Sequence, residues 1–248
     1  MSDLMSESGK KWLVRGGTAG VILLIIAIVL PVFQKVREGS HRTCASQLKQ
    51  LGLALVQYSQ DNDEKMPNVF SPDSSSTWRT ALLPFTGSRD VFYCIEREEK
   101  RSKDEKNKAG SDGFPQDFAA NYTGNYSRSK SDKGNGAFAG PGSEPLTLAD
   151  FDSPATTITL TEVSGNNRPD FNLDEPVHFG PAAKRFWAGH NGFSRYLFMD
   201  GHVKQLHPLA TLQVDGDKVR NLWYRDNTKT LSANGTAVLK DTEARFPQ

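Results

Sequence analysis

The stretch TAGVILLIIAIVLPVF, residues 18–33, contains no charged side chain. A helix needs about 20 mostly apolar residues to cross the hydrocarbon core of a bilayer, so residues 12–14 are expected to extend it. Trp12 then lies among the lipid headgroups, where tryptophan is enriched. The sequence therefore predicts a cytoplasmic N-terminus at residues 1–11 and a transmembrane helix at residues 12–33.

A cleaved secretory signal is the alternative interpretation of this stretch, because the basic residues Lys10 and Lys11 precede it. The residues Pro-Val-Phe-Gln at 31–34 do not form a small-x-small cleavage site, so we favour retention as an anchor. Basic residues flank the span on both sides, and the positive-inside rule does not orient it. A long C-terminal domain can nevertheless be exported regardless of such charges.

Beyond the span, apolar residues recur at spacings of three and four, as on one face of a helix. They are Cys44, Leu48, Leu51, Leu55 and Tyr58. The pattern predicts an amphipathic continuation of the membrane helix over residues 34–63, ended by the run Asp61-Asn62-Asp63. Its apolar stripe must pack on a globular head, which we assign to residues 64–206, with a C-terminal extension at residues 207–248.

Four segments have the residues and the order of a known bacterial family. They are LPVF at 30–33, CASQLKQLGLAL at 44–55, YSQDNDE at 58–64, and His190 followed, after nine intervening residues, by Asp200-Gly201. In these segments the chain resembles the type IV pilin-like, or pseudopilin-like, proteins, and in the last it resembles their H-x9-DG group. The resemblance extends over about residues 20–206.

The resemblance implies an α+β fold in which a long N-terminal helix, membrane-spanning in its first half, packs on a small antiparallel β-sheet. It implies a single-pass protein of the bacterial inner membrane with its C-terminal head in the periplasm. We expect this head to be a structural or interaction module rather than an enzyme. The implied partners are membrane lipid and other pilin-like subunits or secretion machinery. A minor subunit of a type II secretion or type IV pilus filament is a further alternative.

The chain departs from the prepilin pattern at its N-terminus. Prepilins have a glycine before the cleavage point, an apolar first mature residue, usually Phe, and a glutamate at the fifth mature position. Gly9, Lys10 and Val14 stand at these positions here. This degenerate cleavage site at Gly9-Lys10 favours a permanently anchored relative of pseudopilins over a polymerising subunit.

Three segments of the head have the composition of strands: residues 156–163, 193–199 and 202–206. The last two flank Asp200-Gly201, and an Asp-Gly pair between two such runs predicts a two-residue type I′ hairpin. That turn would place Met199 opposite His202 and Phe198 opposite Val203. The strands predict a small antiparallel sheet packed on the stripe of the helix.

Histidines and carboxylates are concentrated in the C-terminal half, at His178, His190, His202, His207, Asp170, Asp174, Glu175 and Asp200. Such residues can bind a metal or act as acid and base, so an anchored periplasmic metal- or ligand-binding domain, with hydrolysis as one activity, is the alternative function. Their spacing does not match a zinc motif. We therefore predict no catalytic residue and no metal ligand, and we assign His190, Asp200 and Gly201 to a structural turn.

The two cysteines have two interpretations. Cys44 lies on the apolar stripe, where a reduced cysteine is a small core residue. A disulfide between Cys44 and Cys94 would instead tie the helix to the head. The sequence leaves both open.

Cofactors and nucleic acid are not expected. Asp61, Asp63 and Glu64 have the oxygen atoms that calcium prefers but not the spacing of an EF-hand loop, so calcium is a weak candidate. The 30 Lys+Arg and 29 Asp+Glu leave a formal net charge of +1, which argues against nucleic acid as a partner.

Overall fold

The computed structural model describes residues 43–71, 76–94, 113–114, 117–122, 134–164, 186–215, 218–226 and 229–246. The predicted transmembrane helix at residues 12–33, the cleavage pair Gly9-Lys10 and the first part of the amphipathic continuation lie outside these residues. In the described part of the chain, none of the helices combines the length and the apolar character that a bilayer span requires.

The described residues form an α+β fold, as predicted. Three α-helices are present among them: α1 at Cys44–Asp61, α2 at Trp78–Thr86 and α3 at Ala233–Arg245. The main sheet has the strand order β1-β2-β3-β4 and is antiparallel throughout, with β1 at Phe118–Ala120, β2 at Ile158–Glu162, β3 at Ser194–Phe198 and β4 at Val203–Leu206. A separate hairpin pairs β5, Leu212–Asp215, with β6, Lys218–Asn221.

Helix α1 confirms the predicted amphipathic pattern over the residues described. It begins after Thr43, whose side-chain oxygen accepts the backbone N–H of Ser46 at 3.2 Å and so satisfies one of the free donors of the first turn. The residues of the predicted stripe are buried or half-buried, and α1 packs against both α2 and β3. The helix ends where Asp63 and Glu64 take positive φ angles of 54° and 60°, so the acidic run terminates it as predicted.

The main sheet separates two apolar cores because successive side chains of a strand point to opposite faces. Leu160 and Leu197 lie in the core shared with α1 and α2. Ile158 and Tyr196 lie in the other core. Ile158 and Leu160 are two residues apart and would share a face in a regular strand, but the β2–β3 register shifts between them.

Residues near the C-terminus cover the second face of the sheet. The fully buried Trp223 contacts the rings of Phe186 and Tyr196 edge-on, with centroids 5.5 and 5.7 Å away, and its indole N–H donates to Thr211 Oγ1 at 2.8 Å. Burial raises the pKa of Tyr196 well above its ordinary value of 10.0. Leu239 of α3 is fully buried in this core. Residues of the expected C-terminal extension therefore contribute to the core of the head.

The β3–β4 hairpin has a different register from the predicted one. Leu197 lies opposite Val203, and the N–H of Phe198 donates to the carbonyl of His202 at 2.9 Å. The predicted pairs, Met199 with His202 and Phe198 with Val203, are therefore wrong by one residue. Instead, the ring of Phe198 stacks on His202, with centroids 4.3 Å apart.

The reason for this register is the backbone of the turn. A type I′ turn needs a positive φ at both central residues, but only Gly201 has one, at 86°, whereas Asp200 keeps a negative φ. The carboxylate of Asp200 accepts the N–H of His202 at 3.1 Å, and this local hydrogen bond stabilises a three-residue loop at 199–201. The loop is a type I turn followed by a left-handed glycine, the second common form of hairpin connection.

Replacing Gly201 tests this turn. Gly201→Ala should lower the free energy of unfolding by about 1–2 kcal/mol, because a left-handed conformation costs that much for a residue with a Cβ. A Cβ at this position would meet nothing within 4 Å, so the loss is due to the backbone alone. Gly201→Asn, which tolerates the left-handed region, should recover most of it. Urea unfolding followed by tryptophan fluorescence measures both, and equal stability of the alanine variant and the wild type would contradict the turn.

Candidate functional site

A buried carboxylate marks the end of β2. Glu162 is the last residue of that strand and is 1% exposed. One carboxylate oxygen, Oε1, lies 3.0 Å from His190 Nε2 and 3.4 Å from Arg195 Nη1. The other, Oε2, accepts the backbone N–H of Arg195 at 2.9 Å. An ionised side chain at this depth requires such partners, because an unpaired buried charge is strongly unfavourable.

Strand pairing and a tight turn bring these three residues together. β2 and β3 are antiparallel, so the end of β2 lies beside Arg195 at the beginning of β3. His190 precedes β3 in a turn that is closed by reciprocal backbone hydrogen bonds with Phe193. The edge of the Trp187 ring packs against the imidazole, with centroids 4.5 Å apart. The turn and the tryptophan therefore hold His190 over Glu162.

The Cys44–Cys94 disulfide lies beside the same carboxylate. The structure joins the two cysteines, with their Cα atoms 5.1 Å apart, and Cys94 Sγ lies 3.9 Å from Glu162 Oε1. Cys44 is the first residue of α1, and the N–H of Cys94 donates to the buried carboxylate of Asp117 at 2.8 Å. Of the two interpretations of the cysteines, the structure contains the disulfide, which ties the beginning of α1 to the head.

The four residues Cys44, Cys94, Glu162 and His190, which we call the Cys-Glu-His cluster, each contribute one potential ligand atom. These atoms all lie within 4.8 Å of one another. Three of the residues are buried, and the His190 side chain is 11% exposed. The cluster is therefore closed except at the histidine.

The hydrogen bonds around His190 conflict with one another. Arg195 Nη1 lies 2.7 Å from His190 Nε2, and because arginine only donates, this contact requires a lone pair on Nε2. Glu162 Oε1, 3.0 Å from the same nitrogen, only accepts and requires a proton there. If the proton is on Nδ1, the lone pairs of His190 Nε2 and Glu162 Oε1 face each other. If it is on Nε2, the N–H of His190 faces an N–H of Arg195. Neither tautomer satisfies both contacts.

The other predicted site residues lie apart from this cluster. Asp200 is at the opposite end of β3 from His190, in the hairpin turn, where its carboxylate contacts the backbone and ring of His202. The histidine and the Asp-Gly pair of the H-x9-DG pattern therefore lie before and after the same strand, β3. His207 stacks on Phe193, with centroids 3.8 Å apart. The remaining candidates, His178, Asp170, Asp174 and Glu175, are outside the described residues.

The acidic run at the end of α1 has a structural role in termination. The N–H of Glu64 donates to the carbonyl of Ser59 at 2.8 Å, which closes the end of the helix. Asp61, Asp63 and Glu64 are exposed. In the described part of the chain they do not form a group close enough to share an ion.

Sequence reasoning missed Glu162, a member of the cluster, and its partner Arg195. An acidic residue at the end of an otherwise β-branched and apolar strand, Ile-Thr-Leu-Thr-Glu, was the available indication, since buried strands rarely contain a carboxylate. Its partners come from residues far away in sequence, and the pattern along the chain does not reveal them.

An apolar face lies on the outer side of α1. Among the described residues, the exposed large apolar side chains are Leu53, Val56 and Leu148, which are 60%, 41% and 47% exposed. Leu53 and Val56 are three residues apart and so share one side of the helix. Val56 and Leu148 line a groove of 280 Å³ that also includes Met199 and Asp200, so it reaches the hairpin turn.

Comparison with known proteins gives one family. A family model described as "Protein of unknown function (DUF1559)" matches residues 34–167, more than half of the 248 residues. The match includes α1, both cysteines and Glu162, and it ends before His190 and Asp200-Gly201. No curated protein and no solved structure matches the chain.

The buried pair of Glu162 and Arg195 can be tested by mutation. Glu162→Gln should lower the free energy of unfolding by about 3 kcal/mol, because it leaves the Arg195 guanidinium, 12% exposed, without a charged partner. The matched control is Asp226→Asn, which removes the exposed ion pair of Asp226 with Lys229, 3.8 Å apart, and should cost below about 1 kcal/mol.

A double-mutant cycle with Arg195→Met separates the pair from the rest of the cluster. The double variant should lose less free energy of unfolding than the two single variants lose together, because it leaves neither a buried carboxylate nor a buried guanidinium without its partner. Chemical unfolding of the four proteins gives the coupling energy. Additive losses would show that the two side chains do not interact.

Proposed function

Because this chain belongs to the DUF1559 family of pilin-like bacterial proteins, we propose that it is a membrane-anchored, pseudopilin-like protein whose exported head binds other pilin-like subunits. The head is not an enzyme in this proposal. Residues 12–33 form the anchor in the bacterial inner membrane, and the head faces the periplasm. The proposed partners are membrane lipid and a second pilin-like subunit, the first candidate being a second copy of this chain.

The observation that carries this proposal is the apolar face of α1. Monomeric proteins rarely gather their exposed large apolar side chains on one surface, because each exposed apolar area is unfavourable in water. Val56 and Leu148 line one groove here, and Leu53 lies about one helical turn from Val56. Anchoring favours association of the heads, since attachment to one membrane raises their effective concentration.

The disulfide supports export of the head. Disulfides persist in oxidising compartments such as the periplasm and are rare in the bacterial cytoplasm. Cys44 and Cys94 are 0% and 1% exposed, and the bridge closes a chain segment with a sequence separation of 50. A crosslink of that length stabilises a folded domain by about 2–4 kcal/mol. The bridge therefore suits a head that folds and works outside the cytoplasm.

The anchor and the compartment are tested together by the mass of the native protein. We expect the chain to fractionate with membranes, to retain its full N-terminus, and to take up a thiol-alkylating reagent only after reduction. Membrane fractionation measures the first, and intact mass spectrometry of the membrane fraction before and after reduction measures the other two. A chain that begins at Lys10 would favour the filament-subunit alternative, whereas one that begins beyond Phe33, or that has free thiols, would contradict the anchored and exported protein.

The apolar face is tested by charge substitution. Leu53→Asp and Val56→Asp should each weaken self-association of the full chain in detergent by at least about tenfold, because a charge in the centre of an apolar contact must be desolvated. Asn234→Asp is the matched control, since this exposed polar residue lies on α3, which packs on the opposite face of the sheet from α1. Sedimentation velocity over a concentration series measures the dissociation constants. Equal association of all four proteins would show that this face is not the contact.

A further inference from the structure

The Cys-Glu-His cluster has the donor atoms of a zinc site. Two cysteine sulfurs, an imidazole nitrogen and a carboxylate oxygen are the ligands that zinc uses in proteins, four at a time and tetrahedrally. In such a site the ligand atoms are about 3.3–3.8 Å apart, as follows from bond lengths of about 2.0–2.3 Å. Here the four atoms lie within 4.8 Å of one another, so the widest pairs must approach by about 1 Å, while the two bonded sulfurs must separate once the bridge is reduced.

We propose that reduction of the Cys44–Cys94 disulfide converts this cluster into a zinc site with Cys44, Cys94, His190 and Glu162 as ligands. A bridged sulfur has no thiolate to offer, so the disulfide is the metal-free state and the two states exclude each other. A dithiol reductant supplies two electrons and two protons, becomes a disulfide itself, and leaves two thiols. Zinc then displaces the two thiol protons, which pass to water.

A cation at this position removes the repulsion between His190 and Glu162 once the Arg195 guanidinium turns away from His190 Nε2, because the single lone pair of that nitrogen serves either the arginine or the cation. The imidazole ligates zinc in its neutral form through a lone pair. With the proton on Nδ1, the lone pairs of His190 Nε2 and Glu162 Oε1 face each other at 3.0 Å, which is unfavourable without a cation between them. A zinc ion bound to both atoms makes this arrangement favourable. Glu162 Oε2 keeps its hydrogen bond from the backbone N–H of Arg195, which orients the carboxylate.

The charges of the buried site balance when zinc is bound. Two thiolates and the Glu162 carboxylate are negative, and the zinc ion together with Arg195 neutralises them. Balance is required because Cys44, Cys94 and Glu162 are at most 1% exposed, and an uncompensated charge at this depth is strongly unfavourable. Arg195, whose side chain is 12% exposed, therefore has a place in the zinc-bound state as well as in the disulfide state.

Zinc would take over the structural role of the disulfide. Both states crosslink the beginning of α1, through Cys44, to the segment at Cys94, and zinc adds the end of β2 through Glu162 and the turn before β3 through His190. The head can then hold α1 in place before its cysteines are oxidised. This inference goes beyond the proposed function and depends neither on the anchor nor on the apolar face.

The test uses the full chain purified in detergent. The protein is reduced with a phosphine, because a dithiol would compete with the protein for zinc. Reduction is carried out at a urea concentration that opens the head. The protein is then returned to native buffer that contains zinc. Unbound metal is removed. The zinc content is then measured by elemental mass spectrometry, and the protein concentration by absorbance. We expect one zinc per chain after reduction and none in the oxidised protein. Reduced wild-type protein that retains no zinc overturns the proposal.

Variants show whether the bound zinc is at this site. Cys44→Ser combined with Cys94→Ser should abolish binding, and His190→Gln and Glu162→Gln should each weaken it by at least about tenfold in a chelator competition. His207→Gln is the matched control, because this histidine lies near His190 in the fold but outside the cluster, and it should leave the affinity unchanged. Unchanged affinity in both His190→Gln and Glu162→Gln would mean that the cysteines bind zinc without the cluster, and would overturn the site.

Cobalt provides a measurement that does not depend on the folding of any variant. Reduced wild-type protein loaded with Co²⁺ should show thiolate-to-metal charge-transfer bands and the intense visible bands of tetrahedral coordination, while the oxidised protein shows neither. Circular dichroism of the same samples reports whether the head is folded. An octahedral cobalt spectrum in folded, reduced protein contradicts the proposed ligand set.

Discussion

The close contact between α1 and the β3–β4 hairpin is the constraint on which the rest of the head depends. A Cβ at Gly52 would lie 2.9 Å from Leu197 Cδ1 and 3.4 Å from the Cα of Gly201, so any larger residue here would require the buried Leu197 side chain to move. Leu48 and Leu51, fully buried, pack on the same strand. The position of the helix on the sheet fixes where its first residue, Cys44, lies in the head, and it fixes which side of the helix faces outward.

Both functional features follow from that position. The beginning of α1 brings Cys44 to the end of the sheet where Glu162 terminates β2, and this produces the disulfide and the Cys-Glu-His cluster. The outer side of the same helix presents Leu53 and Val56, and Val56 lines the groove that reaches the hairpin turn. One helix therefore supplies the crosslink that stabilises the head and the surface that we propose for partner binding.

The polar cluster is compatible with a stable head because the protein surrounds it on all sides but one. Trp187 covers the ring of His190, and the residues of the larger core enclose both sulfurs. Hydrogen bonds inside such an environment are strong, and a missing partner is correspondingly costly. This explains why a redox change at the two sulfurs would be felt by Glu162 and His190, which are in direct contact with them or with each other.

The amino-acid sequence by itself determined the local elements. The three-and-four spacing predicted α1, the β-branched run predicted β2, and together they predicted the α+β class, because these patterns reflect the periods of helix and strand. The hairpin register followed from the local backbone of Asp200 and its hydrogen bond to His202, which the Asp-Gly pattern alone did not reveal, whereas tertiary structure decided the site. Cys44, Cys94, Glu162 and His190 are separated by 50, 68 and 28 positions. Periodicity describes only residues that are neighbours along one element, so contacts over such separations exist only once helix and sheet have packed.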